Sequence, residues 1–239
     1  MGDKNLVGLG ELLKKAPKIH DIINSYYHLS IKRINDEYWK QQGVRKILAS
    51  IENNILNKAN FEEKWQNKIC FEIEKKLNLK VKGATLGMVP NYGGIVELEK
   101  DSESMGRIEI HFYVSFLKNV YSIQIVYLKE NMPIARPHSG VKDFITTGME
   151  KLVVSPLENV FFREYKIIES VIEENFENPI FLCYSIEKLR LHGLELTYMD
   201  GENCSVGEAF FHKAFPINYN FGDIPVVLGD ENYKIALLQ

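Results

Sequence analysis

Near Leu79 the apolar residues of this chain stop recurring every three or four positions and begin to alternate, which forces two kinds of element into one molecule. Ile19, Ile22, Ile23, Tyr26, Ile34 and Tyr38 follow helical steps behind Pro17, whose missing N–H is harmless in a first turn, so one long helix is predicted. Gly43 stands where that helix would stop. Val44, Ile47, Leu48, Ile51 and Ile55 form a second stripe, and Phe61, Trp65, Ile69, Ile73 and Leu77, four residues apart, predict a third amphipathic helix. A shorter helix over residues 6–15 is expected ahead of them. The stripes together predict a helical bundle over residues 1–78.

Strands are expected beyond that point. Ile108, Ile110, Phe112, Val114 and Phe116 alternate with Glu109, His111, Tyr113 and Ser115, the pattern of a half-buried strand. Tyr121, Ile123, Ile125 and Tyr127 repeat it after Leu117-Lys118-Asn119, which predicts a hairpin, with Ile95–Lys100 as the preceding neighbour. Ser155-Pro156-Leu157-Glu158 has capping-box spacing, so a helix is predicted to start there, bury Phe161, Phe162, Tyr165, Ile168, Ile172 and Phe176, and stop before Asn178-Pro179. Further strands are expected at Ile180–Tyr184 and Leu194–Tyr198, with a turn at Asp200-Gly201 and a terminal hairpin of Val226–Leu228 with Tyr233–Leu237. The predicted class is α+β: an N-terminal helical bundle, then a mainly antiparallel sheet over residues 79–239 covered by at least one long helix. No Pro/Gly/Ser-rich linker separates the two parts, which leaves one shared core open to them.

The 239 residues are 45% hydrophobic and 26% charged, enough apolar surface for a sizeable core. No apolar run approaches the roughly 20 residues of a membrane-spanning helix, and the opening Met-Gly-Asp-Lys-Asn lacks the apolar stretch of a secretory signal. A cytoplasmic protein without a membrane partner is expected. Cys70, Cys183 and Cys204 are odd in number and lack metal-ligand spacing, which argues for reduced thiols rather than disulfides or a zinc ribbon. Abundant Ile, Lys and Asn point to a bacterial or phage setting. The net charge of −3 hides an asymmetry, since residues 1–82 carry 16 Lys and Arg against 10 Asp and Glu, and residues 83–239 carry 13 against 22. Such halves either dock on one another or offer surfaces to different partners.

Catalytic signatures are sparse. Gly8-Leu9-Gly10 lacks the strand, third glycine and Lys-Ser/Thr of a nucleotide loop, and Tyr92-Gly93-Gly94 suits a turn before a strand. No Gly-x-Ser-x-Gly elbow occurs, and His138 beside Ser139 is adjacency without orientation. The six histidines stand singly, so no metal or other cofactor is expected. Acid-x-Lys pairs of the kind nucleases use fall on predicted helices, and Glu97-Leu98-Glu99-Lys100 has its lysine out of phase. Cys204 with His212 is the remaining nucleophile candidate, because an imidazole near an exposed thiol stabilises thiolate, although most such thiols only fill space.

Charge supplies the stronger signal. At 100° per residue Lys64, Lys68 and Lys75 fall within about 40° of one another on the third helix, and Arg45 and Lys46 would extend this stripe if the helices lie side by side. Interspersed Glu62, Glu63, Glu72 and Glu74 make a solvated face the commoner explanation. Glu169, Glu173, Glu174 and Glu177 would form an acidic face on the capped helix, again with solubility as the ordinary role. The resulting expectation is a non-enzymatic interaction protein, such as an immunity protein, an inhibitor or a subunit of a larger assembly, that binds another protein by charge complementarity. Nucleic-acid binding or processing through the lysine stripe is the alternative, and a thiol enzyme using Cys204 and His212 the third.

Overall fold

A computed structural model of the chain describes residues 17–29, 31–85, 89–101, 106–129, 148–155, 160–198, 203–211 and 226–228. It combines helices, mostly N-terminal, with a mixed sheet, so the class is α+β. In chain order the helices are α1 (17–26), α2 (Asp36–Lys40), α3 (Gln42–Ile51), α4 (Lys58–Phe61), α5 (Phe71–Leu77), α6 (Phe162–Asn175), α7 (Tyr184–Glu187) and α8 (Val206–Phe210). Wider π-type turns continue α3 through Glu52–Leu56 and join α4 to α5 through Glu62–Cys70. The strands are β1 (Val81–Gly83), β2 (Asn91–Asp101), β3 (Gly106–Ser115), β4 (Val120–Lys129), β5 (Gly148–Ser155), β6 (Ile180–Phe181) and β7 (Val226–Leu228).

The predicted single helix over Ile19–Tyr38 is two, separated by turns in which Ile34 is 93% exposed. Asn35 caps α2 by accepting from the Glu37 N–H at 2.9 Å. The Arg33 N–H donates to Glu195 Oε2 at 2.6 Å, and the Tyr38 hydroxyl to the Glu195 carbonyl at 3.0 Å. These bonds to a distant segment replace the local ones that a continuous helix would make. Gly43 is likewise not a stop but the second residue of α3. A Cβ there would lie 2.2 Å from the Tyr26 carbonyl oxygen, so glycine is what lets α1 and α3 approach.

Residues 58–77 form one unbroken helical run whose apolar positions are four apart. In pure α geometry each four-residue step overshoots a full turn by about 40°, and the stripe would wind around the helix. A π turn holds more residues, so the same step falls short, and mixing the two keeps Trp65, Ile69 and Ile73 on one face, each at most 2% exposed.

The strand order is β1-β2-β3-β4-β5-β7, with β6 beside β4; neighbours from β1 to β5 are antiparallel, and β6 and β7 pair in parallel. The predicted hairpin is present, turning through Lys118 and Asn119 at φ 60° and 52°. Tyr92-Gly93-Gly94 is no turn; it lies within β2. The Phe112 ring covers Gly94 so closely that a Cβ would meet Cζ at 2.2 Å. Ser155 is the last residue of β5 and α6 begins at Phe162, so the predicted capped start is replaced by a strand end; residues 156–159 lie outside the described set. The capping box sits instead at Ser205 and Glu208, which bond reciprocally at the start of α8. Ile180–Tyr184 supplies only the two residues of β6 before α7 begins, and Leu194–Tyr198 forms no extended strand. The expected helix over residues 6–15, the turn at Asp200-Gly201 and Tyr233–Leu237 lie outside the described residues.

Two apolar clusters flank the sheet. On one face Trp65, Ile69 and Ile73 meet Ile110, Phe112, Ile123 and Ile125 of the strands and Tyr165, Ile168 and Ile172 of α6. The other joins Ile19, Ile23, Ile47 and Ile51 to Tyr113, Leu117, Leu182, Leu194 and Phe210. The described N-terminal helices thus contribute to both clusters. Both clusters draw on residues from either side of the change in period, because a sheet with two apolar borders needs a cover on each.

Candidate functional site

All five cations of the predicted stripe are exposed. Arg45, Lys46, Lys64, Lys68 and Lys75 have no carboxylate partner among the described residues, whereas Lys40, Lys76, Lys82 and Lys166 are ion-paired. The helical run sets Lys64, Lys68, Phe71 and Lys75 at steps of four, three and four; all four are exposed, whereas Trp65, Ile69 and Ile73 of the same run are buried. Phe71 is 61% exposed in the middle of this stripe, and Leu56, after α3, is 59% exposed. The exposed ring was missed by the apolar periodicity because it falls off the four-residue repeat.

Lys64 and Lys68 also border a cleft of about 370 Å³ where α3, the π segment, the end of α6 and the β3–β4 turn converge. Ser50 and Asn54 face it from the α3 side, and Lys46 lies one turn before Ser50 on that helix. Tyr92, Phe116 and Phe176 supply its aromatic surface, and Asn119 and Asn175 its far wall. Tyr92 is fixed by stacking on Trp65, with centroids 4.8 Å apart, and by donating its hydroxyl to Asn54 Oδ1 at 3.0 Å. Burial pushes that phenol up to about 12, so it stays a neutral donor.

The acidic helix is partly occupied within the fold. Lys76 bridges Glu72 at 2.9 Å and Glu174 at 3.1 Å, tying α5 to α6. These bonds hold the Glu72 carboxyl below the usual range, chiefly through Lys76, and that of Glu174, through Ser170 and then Lys76. Glu173 accepts from the Tyr121 hydroxyl at 3.0 Å, Glu169 pairs with Lys166, and Glu177 is exposed with its carbonyl accepting from Asn119. The charge asymmetry of the sequence is thus partly consumed by internal docking.

Cys204 is buried, and burial together with the Glu208 charge pushes its thiol up to about 11. A protonated, covered thiol is the opposite of the exposed thiolate a nucleophile requires. His212 lies outside the described residues.

A buried polar row was not anticipated. Arg107, Glu109, His111 and Tyr113 lie on the β3 face expected to meet solvent, yet Glu109 and His111 are only 3% and 2% exposed. Arg107 Nε lies 2.8 Å from Glu109 Oε1, His111 Nε2 donates to Glu109 Oε2 at 2.7 Å, and His111 Nδ1 is 3.3 Å from the Tyr113 hydroxyl. Beside them Ser122 and Gln124 of β4 donate to buried Glu187 of α7 at 3.3 and 3.4 Å. These groups are spent on one another, which suits fixing the strand register rather than receiving a substrate. Only the Glu-x-His-x-Tyr alternation hints at it in sequence.

The chain has no significant match to a protein-family model, to a curated protein or to a solved structure. Among the described residues no helix is long and apolar enough to cross a membrane, and no group of three or more His, Cys, Asp or Glu is arranged to hold a metal ion.

Proposed function

We propose that the protein is a non-enzymatic cytoplasmic interaction protein, of the immunity or inhibitor kind or a subunit of a larger assembly, whose contact surface is the exposed side of residues 58–77 bearing Lys64, Lys68 and Lys75; Arg45 and Lys46 stand on α3, which packs into the other apolar cluster. The observation that carries this reading is the exposed stripe of cations without carboxylate partners among the described residues, with the exposed Phe71 ring among them. A folded chain that pairs Lys76 with Glu72 of α5 and Glu174 of α6 leaves these cations to an acidic partner, and the aromatic ring gives such an interface an apolar anchor. Opposite charge accelerates encounter and selects the partner, while Phe71 and Leu56 slow release by burying surface.

The test is affinity capture from the source cells at low salt with the wild-type chain and with the triple charge reversal K64E/K68E/K75E. A stoichiometric acidic protein recovered by the wild type and lost by the variant is expected. Recovery of nuclease-sensitive nucleic acid in its place, released as salt rises, would transfer the stripe to phosphate binding. Equal recovery by both forms would remove the stripe from function.

A further inference from the structure

The cleft beside the stripe has a chemistry of its own. Among the described residues no carboxylate lines it, and it is bordered by two ammonium groups without an ion pair among those residues. Glu72, which accepts from the lining Asn175, has its charge already held by Lys76 at 2.9 Å. The two asparagines of the far wall present acceptors. The Asn175 amide N–H groups donate to Glu72 Oε2 at 3.1 Å and to the Val171 carbonyl at 3.0 Å, and the Asn119 amide donates to the Glu177 carbonyl at 2.8 Å, which leaves the Oδ1 of each for a ligand donor. The rings of Phe116 and Phe176, both partly exposed, line the same cleft. The volume of about 370 Å³ lies within the range of small-molecule sites.

We infer that this cleft binds a phosphate ester carried on a flat, amino-bearing ring, the chemistry of a nucleoside monophosphate: Lys64 and Lys68 take the phosphate, Phe116 and Phe176 the ring face, and Asn119 and Asn175 the exocyclic amine. Each part answers a distinct feature of the cleft. An inorganic anion would use the lysines alone, and an apolar ligand would leave both ammonium groups and both amide oxygens without partners. Adenine, cytosine and guanine carry an amine of the kind that the acceptors require.

Titration calorimetry on the full chain tests this with AMP and CMP, the nucleosides adenosine and cytidine, inorganic phosphate, and short single-stranded DNA. Saturable one-to-one binding of a monophosphate is expected, at least about tenfold tighter than its nucleoside or inorganic phosphate, as hydrogen bonds to a charged group imply. The exposed-residue variant K64Q/K68Q is expected to weaken the nucleotide about tenfold or more with an unchanged melting temperature. Absence of saturation up to about 1 mM, phosphate binding as tightly as the nucleotide, or indifference to K64Q/K68Q would each overturn the inference. DNA binding that strengthens with strand length while monophosphates fail would also overturn it, in favour of a nucleic-acid track. Phe71 and Lys75 lie outside the cleft, so F71A and K75E separate this site from the partner surface: they leave nucleotide affinity unchanged even where partner capture is lost.

Discussion

Burial pushes the Cys204 thiol from 9.0 up to about 11, and the Cys70 thiol up to about 12. Because the folded state holds these protons more tightly than the unfolded state, each thiol's contribution is complete below about pH 9 and is lost as pH rises through its folded value. Tyr92, raised from 10.0 to about 12, acts in the same direction. Stability is therefore expected to fall between about pH 9 and 11, checked by urea midpoints across that interval; a flat profile would contradict the burial. At pH 7.5 an alkylating reagent should label none of the three buried thiols rapidly until the chain is denatured. Glu109→Leu removes one member of the buried row and leaves Arg107 and His111 facing a methyl group, so a loss of about 3 kcal/mol is expected from chemical denaturation. Sequence reading reached Cys204 because thiol and imidazole stand close along the chain, but the burial that silences the thiol comes from segments distant in sequence. The Glu109–His111 pair was hidden for the converse reason: alternation marks the polar face of a strand without saying whether another layer covers it.

In the helical run over residues 58–77 the buried positions serve the fold, and the exposed ones carry the proposed contact. Trp65, fully buried against Tyr92 and Phe112, is expected to cost about 3–5 kcal/mol when replaced by alanine. Phe71→Ala on the opposite side should change stability by less than about 0.5 kcal/mol and still weaken partner capture. Thermal melts paired with capture assays distinguish the two, and a large stability loss from Phe71→Ala would mean that the ring belongs to the fold. This element was legible because its repeat is long and regular. The two hairpin strands were legible for the same reason, their alternation running over most of ten residues, whereas β2 was read only over Ile95–Lys100 because Tyr92-Gly93-Gly94 looked like a turn. Short elements were not: β5 offered only a brief run next to a misleading Ser-Pro-Leu-Glu, and the gap between α1 and α2 is stabilised by Glu195 and Leu196, some 160 residues away.

At the scale of the molecule, helices from the first third close both faces of a sheet made by the rest, and Lys76 fastens the two parts electrostatically. Heat or urea should therefore unfold the described body in one transition, with far-ultraviolet dichroism and tryptophan fluorescence superimposing; two separated transitions would show the helical part to be independent. A fragment beginning at residue 79 is expected not to fold, since it would expose the strand face that Trp65, Ile69 and Ile73 cover. The charge asymmetry was visible at once in the sequence, but which charges are spent internally required the fold: Glu174 and Lys76 neutralise each other, whereas Lys64, Lys68 and Lys75 have no carboxylate partner among the described residues. The most direct measurement is the mass of the untagged protein purified natively from its source cells at low salt. The interaction reading requires a particle heavier than one chain, containing an acidic second protein and dissociating as salt rises; a lone chain of unit mass, with nothing bound at any salt concentration, would contradict it.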